Sequence, residues 1–177
     1  FKQLAKVEPE KGVAVHRQPF LAGFSAVELG VVVATSVFLG MAYMMANQIN
    51  WADPALFVTY ILVAGVAIIV PDLTHRYVAW KYGAVTEYQF WFLGTAIMFI
   101  TAFFFRVVYA MPARLSINDS DKLSTRQQAM VYCSGPLVSV LVFGIFMLLV
   151  PLGGFAATIG LLGASMNLLS AVYSLMP

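Results

Sequence analysis

From Gln127 to Pro177 no residue carries a charge, and no other feature of the chain narrows its fold so far. A domain folded in water needs charged side chains to cover its surface, about 25% of residues in the ordinary case. Here charged residues make up 10% of the chain and hydrophobic ones 61%. The uncharged stretch divides into two apolar runs, 129–150 and 155–176, separated by Pro151-Leu152-Gly153-Gly154. As helix, each run can cross a hydrocarbon core about 30 Å thick, and the proline and glycines between them set a tight turn. The expectation is an all-α integral membrane protein whose last two segments form a helical hairpin.

The rest of the chain follows the same pattern. A first apolar run, 24–46, has Glu28 as its only charge, and Asn47 to Pro54 forms a turn with Trp51 placed as an interfacial anchor. A second run is uncharged over 55–70 and continues as Pro71-Asp72-Leu73-Thr74-His75-Arg76. It is expected to kink at Pro71, to run on to about Tyr82, and to cap on Gly83. A third run, 88–105, is crowded with aromatics and closed by Arg106. The polar stretches are 1–20, expected as an aqueous N-terminal arm, and 111–127, which carries Arg114, Asp119, Asp121, Lys122 and Arg126. Residues 21–177 are expected to form one membrane domain.

Lysines and arginines orient such a chain, because short cytoplasmic loops hold the excess. The arm holds four, the first turn none, the stretch 76–87 two, the stretch 111–127 three, and the Pro151 turn none. The arm is therefore expected on the cytoplasmic side of the cell membrane. The two stretches that flank the third run both belong on that side as well, which is impossible if the third run crosses. Four spans plus a re-entrant or interfacial aromatic segment satisfy the counts; five spans are the alternative. The formal charge of +2 and the lack of a basic-aromatic face exclude nucleic acid as a partner. A lone cysteine, Cys133, excludes an internal disulfide.

Ionisable residues inside apolar segments are costly and so mark candidate sites. They are Glu28, Asp72, His75 and Arg106. Asp72 and His75 stand three apart on one helical face, where they could bind a metal, relay a proton or hydrogen-bond each other. Two ligands do not make a catalytic zinc site, which needs three and an open position. The plainer expectation is that the pair satisfies itself near the cytoplasmic interface while Arg76 and Lys81 extend to water. Glu28 lies where a carboxylate favours a helix N-terminus. His16 is expected as a surface residue of the arm and Cys133 as a small packing residue. Ala157, Gly160, Gly163 and Ala164 give the last helix a small-residue face, suited to packing on its neighbour or on a partner subunit.

The residues from Pro71 to Gly83 resemble the zinc-motif helix of the site-2 proteases of archaeal type, intramembrane metalloproteases built on an H-E-x-x-H motif. Laid on that pattern, His75 takes the place of the second histidine, Pro71 falls where the first belongs, and Asp72 where the glutamate belongs. Cys133-Ser134-Gly135-Pro136-Leu137-Val138-Ser139 resembles the start of the family's next core helix, with Ser139 for an asparagine. The helix from Met166 and Asn167 to Pro177 resembles the one leading to the family's Asp-Gly motif, whose aspartate is the third zinc ligand. The resemblance covers about 58–177, and it places the histidine helix and the aspartate helix near one membrane face, as four spans would.

The resemblance implies the family's scaffold with a degenerate motif. Proline cannot ligate through its side chain, and a carboxylate at position 72 acts as a base only with the metal in place. The expected function is therefore a catalytically inactive, protease-like subunit with a structural or accessory role in a larger membrane complex. Its partners would be the lipid bilayer and other membrane subunits, without a cofactor. Gly135, Pro136, Gly160, Gly163 and Asn167 would serve in packing and His75 would be a vestigial ligand. The alternative is an active zinc metalloprotease with an altered ligand set. A transporter using Asp72 and His75 as a proton relay is less favoured, since no inverted repeat is visible.

Overall fold

Long apolar runs leave the backbone no partner but itself, so helices account for most of the chain. A computed structural model describes residues 25–84, 86–109, 111–117 and 123–175. The arm with His16, the charges Asp119, Asp121 and Lys122, and the end at Met176 and Pro177 lie outside these residues.

Five helices are present among them: α1 (Ala26–Ala46), α2 (Pro54–Lys81), α3 (Phe92–Phe105), α4 (Thr125–Met147) and α5 (Gly154–Ser174). Local signals set their ends. Ser25 and Glu28 form a capping box that starts α1, and Ser124 with Gln127 does the same for α4. Asp53 caps α2 by accepting from the N–H groups of Ala55 and Leu56. Its far end closes as expected at Gly83. There the N–H of Gly83 bonds the carbonyl of Trp80 and that of Ala84 bonds Ala79, with Gly83 at φ 75°. A 3-10 turn, Val150–Leu152, and Gly153 at φ 72° join α4 to α5.

Four helices are long and apolar enough to cross a membrane: α1, α2, α4 with its 3-10 extension, and α5. The third run is different. Helix α3 has 14 residues, about 21 Å of helix, against roughly 30 Å of hydrocarbon. It is bracketed by two strands, β1 (Thr86–Phe90) and β2 (Ala113–Ile117), paired antiparallel with Phe90 opposite Ala113 and Thr86 opposite Ile117. The pairing brings the two ends of the intervening segment together, so whatever leaves at Phe90 returns to the same place. Arg106 turns the chain in the left-handed region at φ 56°. The returning stretch is tied to α3 where the Tyr109 N–H donates to Thr101 Oγ1 at 3.1 Å. It is tied to α5 where the Tyr173 hydroxyl donates to the Val108 carbonyl at 3.2 Å.

The two strands correct the all-α expectation. Ala-Arg-Leu-Ser-Ile alternates apolar and polar residues, and Thr-Glu-Tyr-Gln-Phe does so from Glu87 on. That period of two marks a half-buried strand, and it separates them from the helical runs on either side.

The remaining packing explains the glycines. A Cβ on Gly163 would overlap the Phe146 ring, and one on Gly160 would stand 2.8 Å from the Phe146 carbonyl. The small-residue face of α5 therefore seats α4, the internal option of the two expected. Gly40 allows α1 to approach the backbone of α2 at Tyr60 and Ile61 in the same way. Helix α4 instead turns most of its surface outward, with Leu137, Val140, Leu141 and Ile145 exposed. Cys133, expected to be a packing residue, is exposed as well.

Candidate functional site

Helix α2 continues through Pro71 without interruption. Proline has no N–H, so the Ala67 carbonyl one turn back loses its helical donor. Ser170 of α5 stands over that carbonyl, its Oγ 3.5 Å away. Pro136 does the same in α4, where it removes the donor that the Tyr132 carbonyl would receive. Pro71 lies on the wall of a cavity of about 570 Å³ between α2, α4, α5 and the hairpin, a wall that also includes Ala67, Asp72, His75, Tyr132 and Ser170.

His75 and Asp72 share that wall but do not bond each other. The His75 ring is buried against α4, with Nδ1 2.7 Å from the Val131 carbonyl. A carbonyl can only accept, so Nδ1 carries the proton and Nε2 is left as the ring's acceptor. Ser134 Oγ lies 3.4 Å from the same nitrogen and itself donates to Val131 at 2.7 Å. Gly135 makes this approach possible, since a Cβ there would overlap the imidazole at Nε2. The resemblance had placed Gly135 in a helix-start motif; its role here is to admit the ring.

Asp72 turns the other way. Its Oδ2 accepts from Arg76 Nε at 3.1 Å, and Arg76 Nη2 bonds Glu28 Oε1 of α1 at 2.6 Å. Glu28 is saturated: its Oε1 also accepts from the Tyr88 N–H of β1 at 3.1 Å, and Oε2 from the Ser25 N–H at 2.8 Å. The group joins α1, α2 and the hairpin at one point. Two expectations fall here. Arg76 does not extend to water, because two buried carboxylates offer it charge-assisted bonds that solvent cannot displace. Asp72 and His75 do not satisfy each other, because a nearer cation and a carbonyl hold them apart. Glu28 is more than a cap: sequence spacing could not reveal a partner 48 positions away.

Among the described residues, Asp72 Oδ1 has no hydrogen-bond partner although it is buried. The same holds for Ser139 Oγ and for Asn167 Oδ1, whose amide nitrogen donates to the Gly163 carbonyl. Arg106, the fourth ionisable candidate, sits apart as the cap of α3.

The described residues do not suit a catalytic zinc ion. No group of three or more His, Cys, Asp or Glu side chains converges among them. The site offers one imidazole nitrogen and one carboxylate oxygen, with Pro71 on the turn where a second imidazole would be needed, short of the three ligands catalytic zinc requires.

Comparison with known proteins gives one informative likeness. The chain is 32% identical over 124 residues to a protein of Methanocaldococcus jannaschii described as a candidate zinc metalloprotease; the match takes in 68% of this chain and 64% of that protein. The chain thus spans somewhat less than two thirds of its relative. The likeness supports a metalloprotease-like family. No family model matches the chain, and no solved structure does.

Proposed function

We propose that this chain is an integral membrane protein that keeps a metalloprotease scaffold of site-2 type without its hydrolytic centre, and serves as a structural or accessory subunit of a membrane complex. The observation that carries the proposal is the pairing of Pro71 with a carboxylate bound to Arg76. A glutamate of the H-E-x-x-H type must be free to take a proton from metal-bound water. Asp72 is one methylene shorter, has one oxygen engaged by a guanidinium, and stands beside a residue that cannot ligate. In the proposed topology α1, α2, α4 and α5 span the cytoplasmic membrane, the arm is cytoplasmic, and α3 enters and leaves on one side. The paired strands at both ends of α3 and its short length support that arrangement. Of the irregular stretch after Arg106, Val108 is buried and its carbonyl accepts from the Tyr173 hydroxyl, which ties the returning chain to α5. The apolar outer face of α4 would meet lipid or another subunit.

The test is metal analysis of the purified protein beside cleavage of a membrane-embedded test substrate. The expected result is no stoichiometric zinc, no cleavage, and co-purification with other membrane subunits at fixed ratio. Zinc at one per chain that is lost in His75→Ala would overturn the proposal. The likeness to a protein described as a metalloprotease favours a second reading, an active enzyme whose ligand set includes His75, Asp72 and a further carboxylate. Zinc-dependent cleavage abolished by Asp72→Asn would establish it.

A further inference from the structure

Apart from Arg106 on α3, the exposed cations among the described residues gather at one end of the bundle. They stand on three elements: Lys81 at the close of α2, Arg114 on β2 and Arg126 in the first turn of α4. None of them forms an ion pair among the described residues, where the ion pairs are those of Arg76. The acids of that end are engaged: Glu28 and Asp72 are buried on Arg76, and half-buried Glu87 accepts from the Gln89 amide at 3.5 Å. At the opposite end, the turn 47–53 and the Val150–Leu152 turn hold neither lysine nor arginine.

Packing draws the three cations together. Ala79, Ile117, Leu123 and Val131 form a small buried cluster, with Val78 and Tyr82 beside it, that joins the end of α2, the end of β2 and the start of α4. Lys81 adjoins Tyr82, whose hydroxyl donates to Met130 Sδ at 2.9 Å, and Arg126 lies one turn before Met130 on the same face of α4. The outer face of α2 shows what this end meets. Leu62, Val66, Leu73, Tyr77 and Trp80 recur at helical spacing and all are exposed, with Lys81 next in line. The face is aliphatic to Leu73, aromatic over Tyr77 and Trp80, whose rings lie 6.4 Å apart, and then cationic. A helix leaving hydrocarbon meets headgroups in that order.

From this we infer that the end of the bundle formed by α2, β2 and α4 docks the headgroups of anionic phospholipids. Lys81, Arg114 and Arg126 meet the phosphates, and Tyr77 and Trp80 lie among the headgroups. A zwitterionic lipid brings its own cation and gains little from unpaired positive charges, whereas an anionic one is attracted by each of them. The inference rests on the proposed reading of α2 and α4 as membrane spans.

Spin-labelled phosphatidylglycerol and phosphatidylcholine, each added in trace to phosphatidylcholine bilayers holding the full chain, test it through the share of each label immobilised at the protein. Phosphatidylglycerol is expected to associate about twofold or more in excess of phosphatidylcholine, and the preference should fall away in about 1 M salt. The arm carries Lys2, Lys6, Lys11 and Arg17 as well, so variants assign the surface. Lys81→Gln with Arg126→Gln should remove about half or more of the preference, while Lys81→Arg with Arg126→Lys keeps it. Equal association of the two lipids overturns the inference on the unmodified protein, whether or not the variants fold. So does a preference untouched by the glutamine pair, or one abolished by inorganic phosphate but not by chloride of equal ionic strength, which would mark a phosphate site instead. Alkaline carbonate extraction of the same membranes keeps the two ideas apart. A chain released from them sinks the spanning reading, whereas a chain that stays and shows no lipid preference sinks only this surface.

Discussion

Two contacts hold the helices together by opposite means. Where the start of α1 meets the last turns of α2 and the hairpin, the join is ionic: Glu28, Arg76 and Asp72 with backbone donors from Ser25 and Tyr88. Where α4 meets α5, no charge takes part, and the helices close because Gly160 and Gly163 leave room for Phe146. The first contact is specific in direction and intolerant of losing a member. The second is spread over van der Waals surface and yields in small steps. Buried charges must be paired in place, whereas small residues need only be absent from the space their neighbour fills.

The largest effect is expected where the ionic join is broken from its centre. Arg76→Met leaves Glu28 and Asp72 facing each other without a cation, and should cost about 3–5 kcal/mol in reversible unfolding in detergent. Adding Glu28→Gln and Asp72→Asn to that variant removes the stranded charges and should recover more than half of the loss. A triple variant as unstable as Arg76→Met would mean the join is not electrostatic. Next comes the close-packed contact. Gly163→Leu forces the Phe146 ring aside and should cost about 1–3 kcal/mol, and Phe146→Ala in the same chain should relieve part of it. Gly135→Ala pushes the His75 ring off Val131. It should cost about 1–3 kcal/mol through the orphaned bond and shift the imidazole resonances in NMR. The smallest effect is expected at Gly144, where a Cβ meets nothing within 4 Å. Gly144→Ala should stabilise α4 by about 0.5–1 kcal/mol, read as a raised melting temperature.

The helical elements were legible along the chain because each rests on neighbours in sequence. The break before Pro54, the stop at Gly83 and the turn at Gly153 are local hydrogen-bond problems with local solutions; the capping boxes at Ser25 and Ser124 are local too, but α4 starts at Thr125, before the apolar run that marked it. Both strands were open to the same kind of reading: Ala113 to Ile117 alternates plainly, but the charge of Arg114 and the neighbouring loop made the stretch look merely polar. The candidate site was half legible. Its residues, Asp72 and His75, stand out as ionisable groups in an apolar helix, but their partners did not, since Glu28 and Val131 lie far along the chain from both.

Composition and periodicity by themselves determined that the chain is made of long apolar helices, that its last third forms a hairpin, and that position 71 cannot supply a metal ligand. These follow from side-chain chemistry and from backbone bonds that close within four residues. Only the tertiary structure decided that Arg76 turns inward to Glu28, that His75 leans on the Val131 carbonyl beside Gly135, and that α3 is bracketed by a strand pair returning it to its starting point. Each of those depends on which surfaces meet after the helices have formed. A buried charge takes the partner that packing brings nearest, however distant in sequence.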